Sequence, residues 1–203
     1  MIRNIIFDIG NVLVDYCWQD HIRFCGYTGE TARRLGEAMM LSPAWHELDR
    51  GVQTEEEVLD AFIRNDPELE NEIRRVFENL GTLIRVFPDT SEWLRRLRGA
   101  GYRTFYLSNF PAKVERDAAE RMDFLEEMDG GILSHRVKLI KPDPAVYRLL
   151  LEQYGLEAGE SVFLDDSPVN VEAARKLGIR GILVKDQRQA MEELQRLLEE
   201  QTE

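Results

Sequence analysis

Short, continuous apolar runs alternate along the chain with longer segments of helical periodicity. The apolar runs, rich in β-branched and aromatic residues, cover residues 4–9, 103–107, 131–133, 162–164 and 181–184. Such runs are typical of strands that are buried on both faces of a parallel sheet. Helical periodicity covers residues 90–98, 112–122, 144–154, 168–177 and 187–198. The alternation predicts a doubly wound α/β domain with a parallel sheet flanked by helices.

The segment that follows the first of these strands has a different pattern. From about residue 16 to residue 85 the periodicity is helical, and no run is convincing as a strand. Thr54 and Glu57 form a capping-box signature ahead of an apolar helix face, and Pro67 opens another predicted helix that runs to Leu80. We therefore expect a helical insertion at residues 16–85, set into an α/β core formed by residues 1–15 and 86–203.

Single residues mark the ends of several predicted helices. Asp143 and Ser167 each precede a proline, which is the arrangement of an N-cap residue followed by proline in the first turn. Gly155 and Gly178 follow two predicted helices at positions where glycine is favoured. These signals support the helix boundaries independently of the periodicity.

Composition and charge narrow the functional classes. The 203 residues carry a formal net charge of -12, which argues against binding to nucleic acid or to an anionic membrane, since both depend on basic patches. No apolar run approaches the roughly 20 residues of a membrane span, and the amino terminus meets Asp8 too early for a signal peptide. We expect a cytoplasmic protein, and the sequence makes no prediction of its oligomeric state.

Polar side chains follow the predicted strands where ligands are expected. In a parallel α/β sheet, the ligand site lies beyond the carboxyl ends of the strands, near the point where the strand order reverses. Residues with catalytic or ligating chemistry stand at such strand ends or in a loop just before a helix. The set expected on one rim of the sheet is Asp8, Ser108, Asn109, Lys141, Asp165 and Asp166.

This set of residues indicates a metal-assisted reaction on a phosphate group. Asp8 and the Asp165–Asp166 pair would repel one another in one cleft unless a cation lay between them. Hard oxygen ligands select Mg²⁺, which is commonly completed by waters and substrate phosphate. Together with Lys141, that ion would make the site locally positive in an acidic protein. A carboxylate beside such a phosphate could attack phosphorus and form an aspartyl-phosphate.

Four blocks, IIFDIGNVLVD, FYLSN, KPDPAVY and VFLDD, resemble the motifs of the haloacid dehalogenase (HAD) superfamily in the family's order, chiefly those of its Mg²⁺-dependent phosphatases. The resemblance covers the whole chain. It implies a Rossmann-like core with a small helical cap inserted after the first strand, which agrees with the insertion at residues 16–85. It also implies Mg²⁺ as the cofactor and a small phosphorylated metabolite as the substrate.

The resemblance implies a role for each matching residue. Asp8 resembles the family's nucleophile and a metal ligand, and Gly10 would lend its backbone carbonyl to Mg²⁺. Ser108 and Asn109 would bind the phosphoryl oxygens. Lys141 would stabilise both the nucleophile and the phosphate.

The paired carboxylates complete the implied metal site. Asp166 is expected to ligate Mg²⁺ directly, and Asp165 to ligate it or to hold a metal-bound water. The sequence alone leaves open which of the two takes which role.

The chain departs from the family's pattern at Gly10, where these phosphatases commonly carry a second Asp that acts as general acid and base. Asn11 and Val12 also replace the usual Gly-Thr. The missing carboxylate removes an effect worth about 10²- to 10⁴-fold. The variant resembles a DxGN-type subgroup that includes α-D-glucose-1-phosphate phosphatases. Because an anomeric hydroxyl leaves with less protonation than an ordinary alcohol, sugar 1-phosphates are the expected substrates.

Two other functions stay open at this point. A metal-independent 2-haloacid dehalogenase would attack carbon, but that branch is expected to carry an aromatic residue at position 10 and to lack the Asp165–Asp166 pair. A non-catalytic protein that binds a phosphorylated metabolite or a partner is favoured by the missing general acid. The retained Asp8 and Lys141 argue against it.

The insertion contains one stretch with possible contacts to the substrate. In PAWHELDRG, the side chains of Trp45, His46, Asp49 and Arg50 could face the cleft and contact the leaving group, or could pack on neighbouring helices. His21, His46 and His135 are isolated in the sequence. We expect these histidines to be packed or exposed residues and not metal ligands.

Overall fold

The computed structural model describes residues 1–200 and contains, within that range, seven strands and eleven α-helices. The strands are β1 (Asn4–Phe7), β2 (Val14–Tyr16), β3 (Ile84–Val86), β4 (Arg103–Ser108), β5 (Gly130–Leu133), β6 (Ser161–Asp165) and β7 (Arg180–Leu183). The helices are α1 (Trp18–Phe24), α2 (Gly29–Ala38), α3 (Pro43–Arg50), α4 (Glu55–Asn65), α5 (Glu70–Glu78), α6 (Thr90–Gly99), α7 (Ala112–Asp117), α8 (Ser134–Val137), α9 (Pro144–Tyr154), α10 (Pro168–Lys176) and α11 (Gln187–Glu199).

The central sheet of the described residues has five parallel strands in the order β5-β4-β1-β6-β7. In β1, Phe7 lies opposite Tyr106 of β4 and Leu164 of β6. The chain builds from β1 toward β5 on one side and then crosses to the other side for β6 and β7. The carboxyl end of β1 therefore lies at the switch point in strand order. The predicted parallel α/β sheet is confirmed.

Both faces of β1 are buried, which explains the apolar run from Ile5 to Phe7. Ile5 and Phe7 belong to one hydrophobic cluster, whereas Ile6 belongs to a second cluster with Phe105 and Phe163. Successive side chains of a strand point to opposite faces, so the two clusters lie on the two sides of the sheet. A strand in this position needs mostly apolar residues, and its one polar residue, Asn4, donates a hydrogen bond to the Ser161 hydroxyl at 3.3 Å.

Helices α1 to α5 lie between β2 and β3, in the region predicted as a helical insertion. β2 and β3 pair antiparallel, with Asp15 opposite Arg85 and a 2.6 Å ion pair between their side chains. The expectation that this region has no strand is wrong at its two ends, because Tyr16 ends β2 and Ile84 begins β3. Each strand has three residues with a charged one at its centre, so the alternation is too short to recognise.

One hydrophobic cluster extends from the sheet into the insertion. It contains Phe7 of β1 as well as Trp45 and Phe62 of the insertion, whose rings stack with centroids 6.1 Å apart. The division into a core and a cap stays a prediction, and residues 201–203, which it assigns to the core, lie outside the described residues.

Among residues 1–200, no helix combines the length and the apolar character that crossing a membrane requires.

Most of the predicted helix caps are present. The Asp143 side chain accepts a hydrogen bond from the backbone N–H of Ala145 at 2.9 Å, and Gly155 ends α9 with a left-handed φ of 60°. Thr54 forms its capping box at the start of α4. Ser167 occupies the N-cap position of α10, but its side chain makes no capping hydrogen bond.

A tertiary contact shortens the helix predicted at residues 112–122. The structure ends α7 at Asp117, and a separate 3-10 turn follows. The Asp117 carboxylate accepts the backbone N–H of Leu80 at 2.9 Å and lies 2.9 Å from Lys113 Nζ. Periodicity within the segment carries no sign of this contact with a distant residue, so the predicted boundary is wrong.

Candidate active site

The carboxyl ends of the central strands bring the predicted site residues to one edge of the sheet. Asp8 follows β1, Ser108 ends β4 and Asp165 ends β6, while Lys141 lies in the loop between α8 and α9. A cavity of about 220 Å³ opens at this edge. On the side of the sheet it is lined by Asp8, Gly10, Asn11, Ser108, Asn109 and Asp166.

Lys141 links two of the carboxylates. Its Nζ lies 2.9 Å from Asp8 Oδ1 and 2.6 Å from Asp165 Oδ2, and the residue is 3% exposed. The backbone N–H of Ile9 also donates to Asp8 Oδ1, at 2.7 Å, which fixes the rotation of that carboxylate. Burial raises the pKa of Asp8 to about 7; the attraction of Lys141 opposes this shift, and the charge of Asp165 adds to it. Burial and Asp165 thus act against the charge on Asp8, and Lys141 and Ser108 act in its favour.

The two adjacent carboxylates, Asp165 and Asp166, have different surroundings. Asp165 is fully buried, and besides Lys141 it accepts the backbone N–H of Ser167 at 2.8 Å and the side-chain amide of Asn170 at 3.1 Å. Asp166 lies closer to solvent than Asp165 and accepts the side-chain amide of Asn11 at 2.8 Å. Burial raises the pKa of Asp166, and Asn11 opposes the shift. Asp165 is thus held by the protein, whereas Asp166 has more capacity for a further ligand.

The carboxylates of Asp8, Asp165 and Asp166 fit a divalent cation. Each offers an oxygen atom, and these three atoms lie within 4.8 Å of one another. Hard oxygen donors of this kind suit Mg²⁺. With Lys141 as the partner of two of them, the three ionised carboxylates keep an excess of negative charge that a divalent ion would balance.

Asn109 holds Lys141 in place through its side-chain amide. Asn109 Nδ2 donates to the backbone carbonyl of Lys141 at 3.0 Å, and Asn109 Oδ1 accepts the backbone N–H of Lys141 at 2.7 Å. The hydroxyl of Ser108 hydrogen-bonds to Asp8 and helps to lower its pKa. Both residues line the cavity, as a phosphate-binding role requires, but the side chain of Asn109 is already occupied.

Asn11 connects the first loop to the paired carboxylates. It has a φ of 57°, a left-handed conformation that Asn tolerates better than most residues. Its Nδ2 donates to Asp166 Oδ2, and its Oδ1 accepts the backbone N–H of Tyr16 at 3.2 Å. A single side chain therefore orients Asp166 and fixes the start of the insertion.

The insertion covers the cavity on the side away from the sheet. Of the stretch that the sequence singled out, Trp45 and Asp49 line the cavity, while His46 is exposed and Arg50 lies 3.8 Å from Glu47. The remaining lining is largely apolar and comes from both parts of the chain: Tyr16, Met40, Ile84, Phe110, Pro111 and Val114. A leaving group in this cavity would meet mostly aromatic and aliphatic surface.

Ser134 and Asn170 contribute to the site without having been predicted. The Ser134 hydroxyl accepts the backbone N–H of Phe110 at 2.8 Å and donates to the backbone carbonyl of Asp49 at 2.5 Å. Asn170 follows Asp165 by five residues, a spacing that places its amide back over that carboxylate in the first turn of α10. Ser134 has no such signal, because its partners are distant in the sequence.

Two of the three histidines are packed in structural positions. His21 Nδ1 lies 2.7 Å from Thr82 Oγ1, and its Nε2 lies 3.0 Å from the Val76 carbonyl. His135 Nε2 lies 2.9 Å from Glu115. The metal-type cluster found in residues 1–200 consists of aspartates.

Comparison with known proteins agrees with this architecture. The family described as haloacid dehalogenase-like hydrolase matches residues 2–178. The sesquiterpene phosphatase astK of Aspergillus oryzae is 26% identical over 193 residues, which are 95% of each chain. A phosphorylated carbohydrates phosphatase of Thermotoga maritima is 27% identical over 187 residues, covering 88% of this chain and 82% of that one. Other relatives are longer proteins, of which the chain spans about a third or less.

A similar fold is found among solved structures. A HAD-family enzyme from Bacteroides thetaiotaomicron, solved with magnesium and inorganic phosphate, superposes with a TM-score of 0.71 at 20% identity. The match covers 91% of this chain and 95% of the other. The sheet order, the position of the acidic rim and the extent of the family match lead to one assignment: this chain belongs to the haloacid dehalogenase-like hydrolases.

Proposed function

We propose that this protein is a Mg²⁺-dependent phosphatase that hydrolyses a small phosphorylated metabolite through an aspartyl-phosphate on Asp8. The observation that carries the proposal is the placement of Asp8 at the floor of a cavity, in contact with Lys141 and within 4.8 Å of two more carboxylates. The proposed nucleophile, Asp8, and the carboxylates that would bind the cation therefore lie at the same cavity. Relatives named as phosphatases support this reading.

Each residue of the rim has a task in this reaction. A carboxylate oxygen of Asp8 forms a bond to phosphorus while the bond from phosphorus to the leaving-group oxygen breaks. Lys141 and the Ile9 N–H hold the carboxylate in one orientation for this attack. A water then attacks phosphorus and releases phosphate from Asp8, which regenerates the carboxylate. Ser108 and Lys141 offer donors to the peripheral oxygens.

The metal site would be formed by Asp8, Asp166 and the backbone carbonyl of Gly10. Asp166 is the better candidate for direct ligation, because Asp165 already receives three hydrogen-bond donors from the protein. Bound Mg²⁺ neutralises the charge that builds up on the phosphoryl group and lowers the pKa of nearby acidic groups. Asp165 would act beside it by holding Lys141 and a metal-bound water.

The cavity and the relatives support a small phosphate ester as the substrate. One of these relatives is named a sesquiterpene phosphatase and the other a phosphorylated carbohydrates phosphatase. Sugar 1-phosphates stay the specific candidates that the DxGN motif suggests. The largely apolar wall opposite the rim favours a compact leaving group that offers a hydrophobic face.

A phosphate-release assay tests the proposal directly. A panel of sugar 1-phosphates, primary-alcohol phosphates and prenyl phosphates is incubated with and without Mg²⁺. We expect turnover that requires the ion and that falls to background in Asp8→Asn. Asp60→Asn, an exposed carboxylate on α4, is the matched control and should keep full activity.

The alternatives predict other outcomes in the same assay. A dehalogenase would release halide from a 2-haloacid in the presence of a chelator. A binding protein without turnover would bind phosphate esters, or would accumulate a stoichiometric aspartyl-phosphate detectable by mass spectrometry after acid quench. Either result would replace the phosphatase proposal.

A further inference from the structure

We infer that Asp49, a residue of the helical insertion, supplies the proton to the departing oxygen in the place of the carboxylate that is missing at Gly10. The inference rests on the phosphatase reaction proposed above and identifies a catalytic residue for it. Gly10 lines the cavity, but it has no side chain to donate a proton. Among the described residues, Asp49 is the acidic residue that lines this cavity from the insertion.

Asp49 is buried and turned toward the same space as the nucleophile. It is the last residue but one of α3, it is 5% exposed, and it lines the cavity together with Asp8 and Gly10. The rim residues approach the phosphoryl group from the sheet, whereas Asp49 approaches from the insertion. A proton donor for the leaving group belongs on that second side, because the leaving oxygen departs in line with the attack.

The Asp49 carboxyl has spare hydrogen-bonding capacity. Its recorded partner is His46 Nδ1 at 3.8 Å, which is longer than a normal hydrogen bond. Asp49 also lines the cavity, so this carboxyl is suited to a partner that arrives with the substrate.

The surroundings favour the neutral form of this carboxyl. Burial raises the pKa of Asp49, while His46 and the more distant Lys141 act in the opposite direction. The protonated form is the one that a general acid needs. The Tyr16 hydroxyl, which is buried and has no hydrogen-bond partner among the described residues, lines the same part of the cavity.

The core of the protein fixes the position of Asp49. The Ser134 hydroxyl donates to the Asp49 backbone carbonyl at 2.5 Å and also binds the N–H of Phe110, which follows Ser108 and Asn109. Two residues after Asp49, the carbonyl of Gly51 accepts a hydrogen bond from Lys138 Nζ. A catalytic acid must be held at a defined distance from the reacting atoms, and these bonds tie the end of α3 to the phosphate-binding edge.

The apolar wall favours a protein-borne acid. Trp45, Met40 and Phe110 line the cavity that the leaving group would occupy with largely apolar surface. An alkoxide formed there would have few solvent donors. The Asp49 carboxyl gives its proton to the leaving oxygen as the P–O bond breaks. Its carboxylate then accepts a proton from the water that attacks the aspartyl-phosphate, so that the proton count balances.

The dependence on the leaving group tests this role. p-Nitrophenyl phosphate releases an acidic phenol that needs no proton, whereas 2-phenylethyl phosphate releases an ordinary alcohol. In Asp49→Asn, kcat/KM for the alkyl ester should fall by about 10²- to 10⁴-fold, and that for the nitrophenyl ester by less than about 10-fold. Activity on the nitrophenyl ester also shows that the variant is folded.

A second variant restores the acid at its usual place. A Cβ at Gly10 would meet Tyr16 Cβ at 4.0 Å, an ordinary contact, and the Gly10 φ is not left-handed, so an Asp fits there. Gly10→Asp combined with Asp49→Asn should recover much of the lost alkyl-ester activity. Equal losses on both esters without recovery, or no loss in Asp49→Asn, would overturn the inference alone. A wild-type protein inactive on both esters would overturn the phosphatase proposal as well.

Discussion

Lys141 Nζ lies 2.6 Å from Asp165 Oδ2, with both side chains excluded from solvent. Burial opposes the charge on Lys141, but the attraction of Asp165 and Asp8 outweighs it and raises the Lys141 pKa. The same ammonium also contacts Asp8, whose pKa burial raises to about 7. The interior of the site is therefore organised around one cation that two carboxylates share.

Removal of the Lys141 ammonium should destabilise the protein strongly. Lys141→Met leaves two buried carboxylates without their partner, a change that typically costs about 3–5 kcal/mol of unfolding free energy. Urea denaturation without Mg²⁺ measures it. Lys176→Met, at an exposed position on α10, should change the value by less than about 0.5 kcal/mol.

A double variant separates the charge effect from lost packing. If the unpaired carboxylate causes the loss, adding Asp165→Asn to Lys141→Met should recover part of the stability. A double variant that is less stable than Lys141→Met would contradict this account of the site.

Mg²⁺ should stabilise the folded protein through the three aspartates. At a concentration 100 times its dissociation constant, a ligand that binds the folded state adds about 2.7 kcal/mol. We expect a rise in the melting temperature with Mg²⁺ that is largely lost in Asp166→Asn and retained in Asp60→Asn. An equal rise in all three proteins would place the ion elsewhere.

The left-handed backbone conformation of Asn11 should make a glycine substitution less destabilising than an alanine substitution. Asn11→Gly loses both side-chain hydrogen bonds but adopts a φ of 57° without strain. Asn11→Ala loses the same bonds and must also enter the left-handed region, at an additional cost of about 1–2 kcal/mol. Equilibrium denaturation should rank wild type above Asn11→Gly and Asn11→Gly above Asn11→Ala. An alanine variant as stable as the glycine variant would be inconsistent with this backbone conformation.

The buried His21 should contribute a loss of stability in mild acid. Burial lowers the His21 pKa below its ordinary 6.5, and the Val76 carbonyl partly opposes this shift. As the pH falls below 6.5, the unfolded state binds a proton that the folded state resists, so the unfolding free energy decreases by up to about 1.4 kcal/mol per pH unit. This decrease in the unfolding free energy should end once the pH lies below the pKa of His21 in the folded state.

A pair of glutamine variants isolates this effect. The unfolding free energy of wild type minus that of His21→Gln should fall as the pH drops from 6.5 to the folded pKa of His21. His46→Gln, at an exposed position, should keep this contribution of His21. Identical pH profiles for wild type and His21→Gln would show that another group is responsible.

The sheet and its rim could be predicted from the sequence because their signals are local. Three of the four residues of β1 are apolar, and Asp8 follows the strand directly, so both the strand and the polar group at its end are visible in one short segment. The same holds for Asp165 after β6. The parallel topology then brings these distant residues together without further information.

The parts that sequence reasoning missed depend on contacts between distant segments. Strands β2 and β3 are short and acquire their structure from each other across the whole insertion. Ser134 becomes part of the site only because Phe110 and Asp49 lie on either side of it. The direction in which Asp49 points depends on how α3 docks, and its own sequence neighbours do not determine that.

The open space in front of Gly10 also bears on how this site evolved. Glycine and aspartate codons can differ by a single nucleotide, and a side chain at position 10 meets no close neighbour, since its nearest contact is Tyr16 Cβ at 4.0 Å. The usual carboxylate can therefore be as little as one nucleotide change away, and it is sterically acceptable. Packing alone does not account for the glycine at this position.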